Sequence, residues 1–179
     1  EARGAMVVHL THAAGISSTG DSELDRRLPL AERYEIGEPT ALCVNETRAR
    51  GARVLAVGTS VTRALEASAH DGRARPGSAR TSLLLGPGST LQICSGLLTG
   101  LHEPGTSHYS LLEAFAPRSL LDRSFVHAEQ RGYLQHEFGD SCLILPGSLA
   151  GRVPAERASV RRSPCEVERR LARKNSAPP

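Results

Sequence analysis

Apolar residues in this chain come in short runs, broken by clusters of glycine, proline and serine, and no run approaches the length a bilayer requires. Val7–Leu10 reads as a strand followed by a Gly/Ser/Thr loop over Gly15–Asp21, and Tyr34–Ile36 as a second short strand. Pro39 through Arg50 reads as a helix: Pro suits its first turn, Leu42, Val44 and Ala49 are available for burial, and Gly51 suits a left-handed stop. Arg53–Val57 is an apolar run between glycines, the pattern of a strand buried on both faces. The turn Gly58-Thr59-Ser60 leads into a helix over Val61–His70, with Val61, Ala64, Leu65 and Ser68 on one face.

Asp71-Gly72 and Pro76-Gly77 mark turns. Thr81–Leu85 and Leu91–Leu98 read as strands joined by a tight turn at Gly86-Pro87-Gly88. A loop over Thr99–Ser107 opens a helix running through Phe115, and a further helix over Ser119–Arg131 stops at Gly132. Cys142–Leu145 closes the body as a last strand. Helices interleaved with apolar strands predict an α/β fold, a layered α/β/α domain with a largely parallel sheet.

Composition divides this picture in two. Hydrophobic content of 39% and charged content of 23% are ordinary for a globular chain of 179 residues. The net charge of +3 sits in the last segment, where Ser148–Pro179 carries eight Arg or Lys against three Glu. Residues 1–147 form the expected α/β domain, and 148–179 read as a disordered basic tail. Without that tail the body is slightly acidic, so it shows no electrostatic footprint for nucleic acid. Aromatic residues make up 3%, too few for a base-stacking platform. Cys43, Cys94, Cys142 and Cys165 are widely separated, which predicts free thiols and no zinc ribbon. No signal peptide or metal-ligand spacing is evident, so a cytoplasmic, metal-free protein is expected.

Three segments can carry chemistry. In the first, a buried strand meets a small-residue turn and a helix start at Gly58, Thr59 and Ser60. Such a turn offers backbone N–H groups and a positive helix end to an anion, and Thr59 or Ser60 can cap the helix. Arg63 lies one turn in, with Glu66 three residues further on the same side. The plain alternative is a generic capping turn. In the second, Thr99–Ser107 places His102 in a loop between strand and helix, as a candidate acid or base, and gives the helix Thr106 or Ser107 as a cap. The third is Gly139 and Asp140 at the mouth of the last strand, where a carboxylate can bind ribose hydroxyls, neutralise a sulfonium, or simply cap its own backbone.

Taken together, these segments resemble the S-adenosylmethionine:tRNA ribosyltransferase-isomerase family of queuosine biosynthesis. Arg50–Glu66 is similar to the family block RGGRVIAVGTTSVRALES, and Thr99–Pro104 to TNFHLP. Ala114-Phe115-Ala116 resembles SAFAG, Gly132 through Leu145 resembles GYRFFSFGDAMLI, and His12–Ser18 loosely matches HVGLGTF. The resemblance spans Val7 to Leu145 and corresponds to a divergent carboxy-terminal half. Gly100 and Glu103 depart from the family's Asn and Leu, and Cys142 from its Met.

The resemblance implies S-adenosylmethionine as cosubstrate and tRNA as acceptor. The ribosyl moiety would pass to 7-aminomethyl-7-deazaguanine and isomerise to epoxyqueuosine as adenine and methionine leave. On that chemistry Gly58, Thr59, Ser60 and Arg63 suit the methionine carboxylate, with Glu66 and Gly139 completing the cosubstrate site. His102 is a candidate proton carrier, and Asp140 suits the ribose or sulfonium. The resemblance further implies that an amino-terminal half and an inserted β-barrel are absent, in line with a start at Glu1 just ahead of the sole methionine, Met6. A fragment inactive alone is the expectation. The alternatives are a non-catalytic nucleoside-binding remnant and a divergent subfamily with another acceptor.

Overall fold

The computed structural model describes residues 4–13, 23, 30–135 and 139–145. The expected Gly15–Asp21 loop, Cys165 and the 148–179 tail lie outside the described residues. All the described elements fall within Glu1–Pro146, which forms one compact unit.

The chain opens with β1 (Thr11–Ala13) and β2 (Glu32–Ile36), followed by α1 (Glu38–Ala49). Pairing starts after the expected strand at Val7–Leu10, where Val7 is 75% exposed. β2 alternates strictly, with Glu32, Tyr34 and Ile36 inward and Arg33 and Glu35 outward. The helix has Pro in its first turn and ends ahead of Gly51 at φ +68°. It turns Thr40, Ala41, Cys43 and Val44 to the core, whereas Leu42 and Ala49 face outward, contrary to expectation.

Next come β3 (Leu55–Val57), α2 (Thr59–Ala67), β4 (Ala69–His70), β5 (Arg73–Ala74) and β6 (Gly77–Thr81). Asp71 and Gly72 both take positive φ, so β4 and β5 meet in a two-residue hairpin of the type I′ class. The Asn45 side chain extends that hairpin, donating to the Ala74 carbonyl and accepting its N–H at 2.9 and 2.8 Å. The remaining elements are β7 (Gly96–Gly100), α3 (Ser107–Leu112), α4 (Arg118–Gln130) and β8 (Ser141–Ile144). Thr106 caps α3 by accepting the Tyr109 N–H at 3.1 Å, as expected, and the Tyr109 hydroxyl donates to Asp122 of α4 at 2.6 Å.

The mixed α/β character holds, but the strand directions do not follow a largely parallel sheet. One sheet has the order β1-β2-β6 and is antiparallel throughout. The other has the order β3-β7-β8, in which β3 and β7 run parallel and β8 returns antiparallel. Only one pairing among the described residues is therefore parallel. The expected strands at Thr81–Leu85 and Leu91–Leu98 become the end of β6, an unpaired connection and the start of β7. The reason lies in Glu66, whose carboxylate accepts the N–H groups of Gln92, Ile93 and Cys94 and withdraws them from any ladder.

α2 packs against strands of both sheets, which explains why six of its nine residues are buried rather than one stripe. On one face of the β3-β7-β8 sheet Ala56, Leu97 and Ile144 join the core. The other face carries Val57, Leu98 and Leu143 in register, with Val57 64% and Leu143 53% exposed. β3 is therefore not buried on both faces.

Candidate functional site

Parallel strands bring their carboxyl ends to one edge of a sheet, and the connections leaving that edge are where open α/β sheets bind ligands. Here Val57 pairs with Leu98 and Gly100 pairs with Ser141. Gly58 leaves β3, Leu101 and His102 leave β7, and Gly139 and Asp140 enter β8, all at the same end of one three-stranded sheet. Segments separated by about 40 residues in sequence thus meet at one end of the sheet.

Gly58 has φ +99° and ψ 150°, a backbone conformation that side-chain-bearing residues rarely adopt. No neighbour crowds the position of its absent Cβ, so conformation and not space calls for glycine. Its N–H donates to the Leu98 carbonyl at 2.8 Å, and its carbonyl accepts both the N–H and the hydroxyl of Thr62. Neither Thr59 nor Ser60 caps the helix by its side chain, contrary to expectation; the cap position belongs to Gly58. The N–H groups of the first turn have no intrahelical acceptor.

His102 Nε2 lies 2.8 Å from Thr99 Oγ1, and its ring stacks on His108 with centroids 4.9 Å apart. Burial, reinforced by the charge of His108, lowers its pKa from 6.5 to about 4. The imidazole is therefore neutral near pH 7 and a weaker base than a free histidine. It lines a cavity of about 280 Å³ whose walls include Leu112, Phe125, Tyr133, Cys142 and Leu143. Burial also pushes the Cys142 thiol up, which disfavours its thiolate.

Asp140 closes a short loop on itself: its carboxylate accepts the Leu134 N–H at 2.8 Å while its own N–H donates to the Leu134 carbonyl at 2.9 Å. Gly139 is needed there for space, because a Cβ would run into the carbonyl oxygens of Leu134 and Gln135. Residues 136–138, between these two, lie outside the described residues.

Arg63 and Glu66 part company. Arg63 is 7% exposed and its Nη1 lies 3.3 Å from Glu32 Oε2, whereas Glu66 holds the 92–94 loop. The structure thus brings Gly58–Ser60, His102, Gly139 and Asp140 to one sheet edge, and it turns Arg63 toward the β1-β2-β6 sheet. Sequence reasoning missed Thr99, His108, Phe125 and Tyr133 as parts of the site, and Glu32 as the partner of Arg63. Only Glu32 carried a signal, the period-two alternation from Glu32 to Ile36 that points it inward.

A larger concavity of about 490 Å³ runs over β1, β2 and β6. On its exposed side Arg33 and Arg80 stand directly opposite one another. Among the described residues no group of His, Cys, Asp and Glu side chains could hold a metal ion, and no helix is long and apolar enough to cross a membrane.

The family model described as queuosine biosynthesis protein matches residues 1–144. An S-adenosylmethionine:tRNA ribosyltransferase-isomerase from Acidithiobacillus ferrooxidans is 43% identical over 122 residues, which cover 68% of this chain and 35% of the relative. One from Gloeobacter violaceus is 42% identical over 120 residues, 66% of this chain and 34% of the relative. The crystal structure of an S-adenosylmethionine tRNA ribosyltransferase from Thermotoga maritima superposes with a TM-score of 0.60 at 32% identity, covering 64% of this chain and 40% of that one. The chain's match spans about a third of the length of these curated relatives.

Proposed function

The chain belongs to the queuosine biosynthesis protein family, and from that premise we propose that it forms the cosubstrate side of an S-adenosylmethionine:tRNA ribosyltransferase-isomerase site. In this reaction the ribosyl moiety of S-adenosylmethionine passes to 7-aminomethyl-7-deazaguanine in tRNA and isomerises to epoxyqueuosine. The observation that carries the reading is the convergence of Gly58, His102 and Asp140 on one sheet edge beside an apolar cavity.

Each residue then has a task. The aromatic and aliphatic walls at Phe125, Tyr133 and Leu112 suit a nucleobase, held flat and shielded from water. His102, neutral and fixed by Thr99, takes the proton removed beside the sulfonium. Asp140 has one carboxylate oxygen engaged by Leu134 and offers the other to a ribose hydroxyl or the sulfonium charge. Gly139 keeps that carboxylate close to the strand. The open first turn at Thr59 and Ser60 faces the negative end of the cosubstrate, with Arg63 one helical turn further on, while Glu66 keeps the 92–94 loop in place. For the acceptor, Arg33 and Arg80 form a like-charged cross-strand pair, an arrangement that costs stability unless a polyanion such as an RNA backbone relieves it.

Calorimetry with S-adenosylmethionine tests the reading, run beside an assay of adenine release with tRNA that carries 7-aminomethyl-7-deazaguanine. The chain is expected to bind the cosubstrate, and Phe125→Ala to weaken that binding. Binding without turnover is the expected result, because catalysis needs donor and acceptor held together and the match spans a third of the relatives. A protein that binds no S-adenosylmethionine would overturn the proposal.

A further inference from the structure

Three buried side-chain nitrogens among the described residues have no hydrogen-bond partner: Nε and Nη2 of Arg63, and Nδ1 of His12. Buried polar groups are almost always satisfied, so three orphans need an explanation. They are also neighbours in the fold. His12 stands opposite Tyr34 in the β1–β2 ladder, so it shares the inward face of β2 with Glu32 and Tyr34. On that face His12 and Glu32 are diagonal neighbours, within reach of long side chains. Arg63 extends from α2 to Glu32, which it meets through Nη1.

The two free nitrogens of Arg63 lie on one edge of the planar guanidinium. What remains open is therefore a two-pronged donor, the shape that receives both oxygens of a carboxylate. Glu32 fixes the plane of this fork and cancels most of its charge, which favours a monoanion over a phosphate dianion. His12 supplies a third donor when its proton sits on Nδ1.

We propose that Arg63 and His12 form a carboxylate receptor between α2 and the β1-β2-β6 sheet, positioned by Glu32, which takes the α-carboxylate of an amino-acid group. Resting on the function proposed above, that group is the methionine portion of S-adenosylmethionine, the one part of the cosubstrate that carries a carboxylate. The receptor shifts recognition of this end from the backbone of the helix-opening turn to two side chains that face the neighbouring sheet.

The test compares binding of S-adenosylmethionine with binding of its decarboxylated analogue by the unaltered protein. Loss of a bidentate, charge-assisted contact is expected to weaken the analogue roughly ten- to hundredfold. Arg63→Lys keeps the charge but not the fork, and should bring the two ligands close to equal affinity. His12→Gln, on a three-residue edge strand, should narrow the gap in part. Equal affinities in the unaltered protein would overturn the receptor and leave the cosubstrate site standing, with water satisfying the orphaned nitrogens. Binding of neither ligand would overturn both.

Discussion

The backbone N–H of Cys94 donates to the Glu66 carboxylate at 2.7 Å across 28 residues of chain. The same carboxylate receives Ile93 at 3.0 Å and Gln92 at 2.7 Å, so one side chain on α2 anchors three successive residues just ahead of β7. Glu66 therefore sets where β7 begins, and through β7 where His102 emerges.

Replacing Glu66 with Ala strands N–H groups that are buried at Ile93 and Cys94, and is expected to cost about 3 kcal/mol or more. Glu66→Gln retains one accepting oxygen but turns an NH2 group toward the Gln92 N–H, so an intermediate loss is expected. Denaturant titration of the two variants beside the parent chain checks this. Equal midpoints for all three would show that the loop holds without the carboxylate.

Acidification should expose the neutral state of His102. Its pKa is about 4 in the fold, against 6.5 for the unperturbed group, so the unfolded chain takes up the proton first as pH falls. Its contribution to stability is complete above pH 6.5 and is lost progressively down to pH 4. His102→Gln should flatten the pH dependence of the unfolding midpoint across that window. A slope as steep as the parent's would assign the acid sensitivity to other groups.

The thiols offer a chemical readout of the same region. Burial and the adjacent Glu66 raise the Cys94 pKa well above its ordinary range, and burial alone raises that of Cys142. In a Cys165→Ser background, native Cys94 should resist iodoacetamide until the protein unfolds. Cys142, half-buried on the wall of the cavity, should react slowly, and more slowly still with S-adenosylmethionine bound. Mass spectrometry of the alkylated peptides distinguishes the sites. Ligand-independent labelling of Cys142 would place the bound nucleoside elsewhere.

What the sequence made legible were features governed by near neighbours. Pro39 and Gly51 bracket α1 because both act through their own backbone, and the glycine-bounded run before Gly58 announces a strand, a turn and a helix. Asp71-Gly72 was readable as a turn for the same reason. Strand direction was not, because it depends on which distant segments pair: nothing local in Gly77–Thr81 tells that it joins β2 and not β7. The roles of Arg63 and Glu66 were hidden alike. Their spacing along α2 is a helix property, but their partners come from Glu32 and the 92–94 loop. Leu55 and Val57 misled because apolar character marks what can be buried, and exposure is decided by what lies opposite.

Val57 and Leu143, exposed on either side of the half-buried Leu98, make a strip of side chains that water wets but cannot hold by hydrogen bonds. Any apolar contact that displaces this water is favoured, and excluded salts such as sulfate strengthen the tendency. The wetting of this strip therefore adds a contribution to self-association that net charge does not report. Sulfate is therefore expected to promote association through this strip, and a polar residue at position 143 to weaken it.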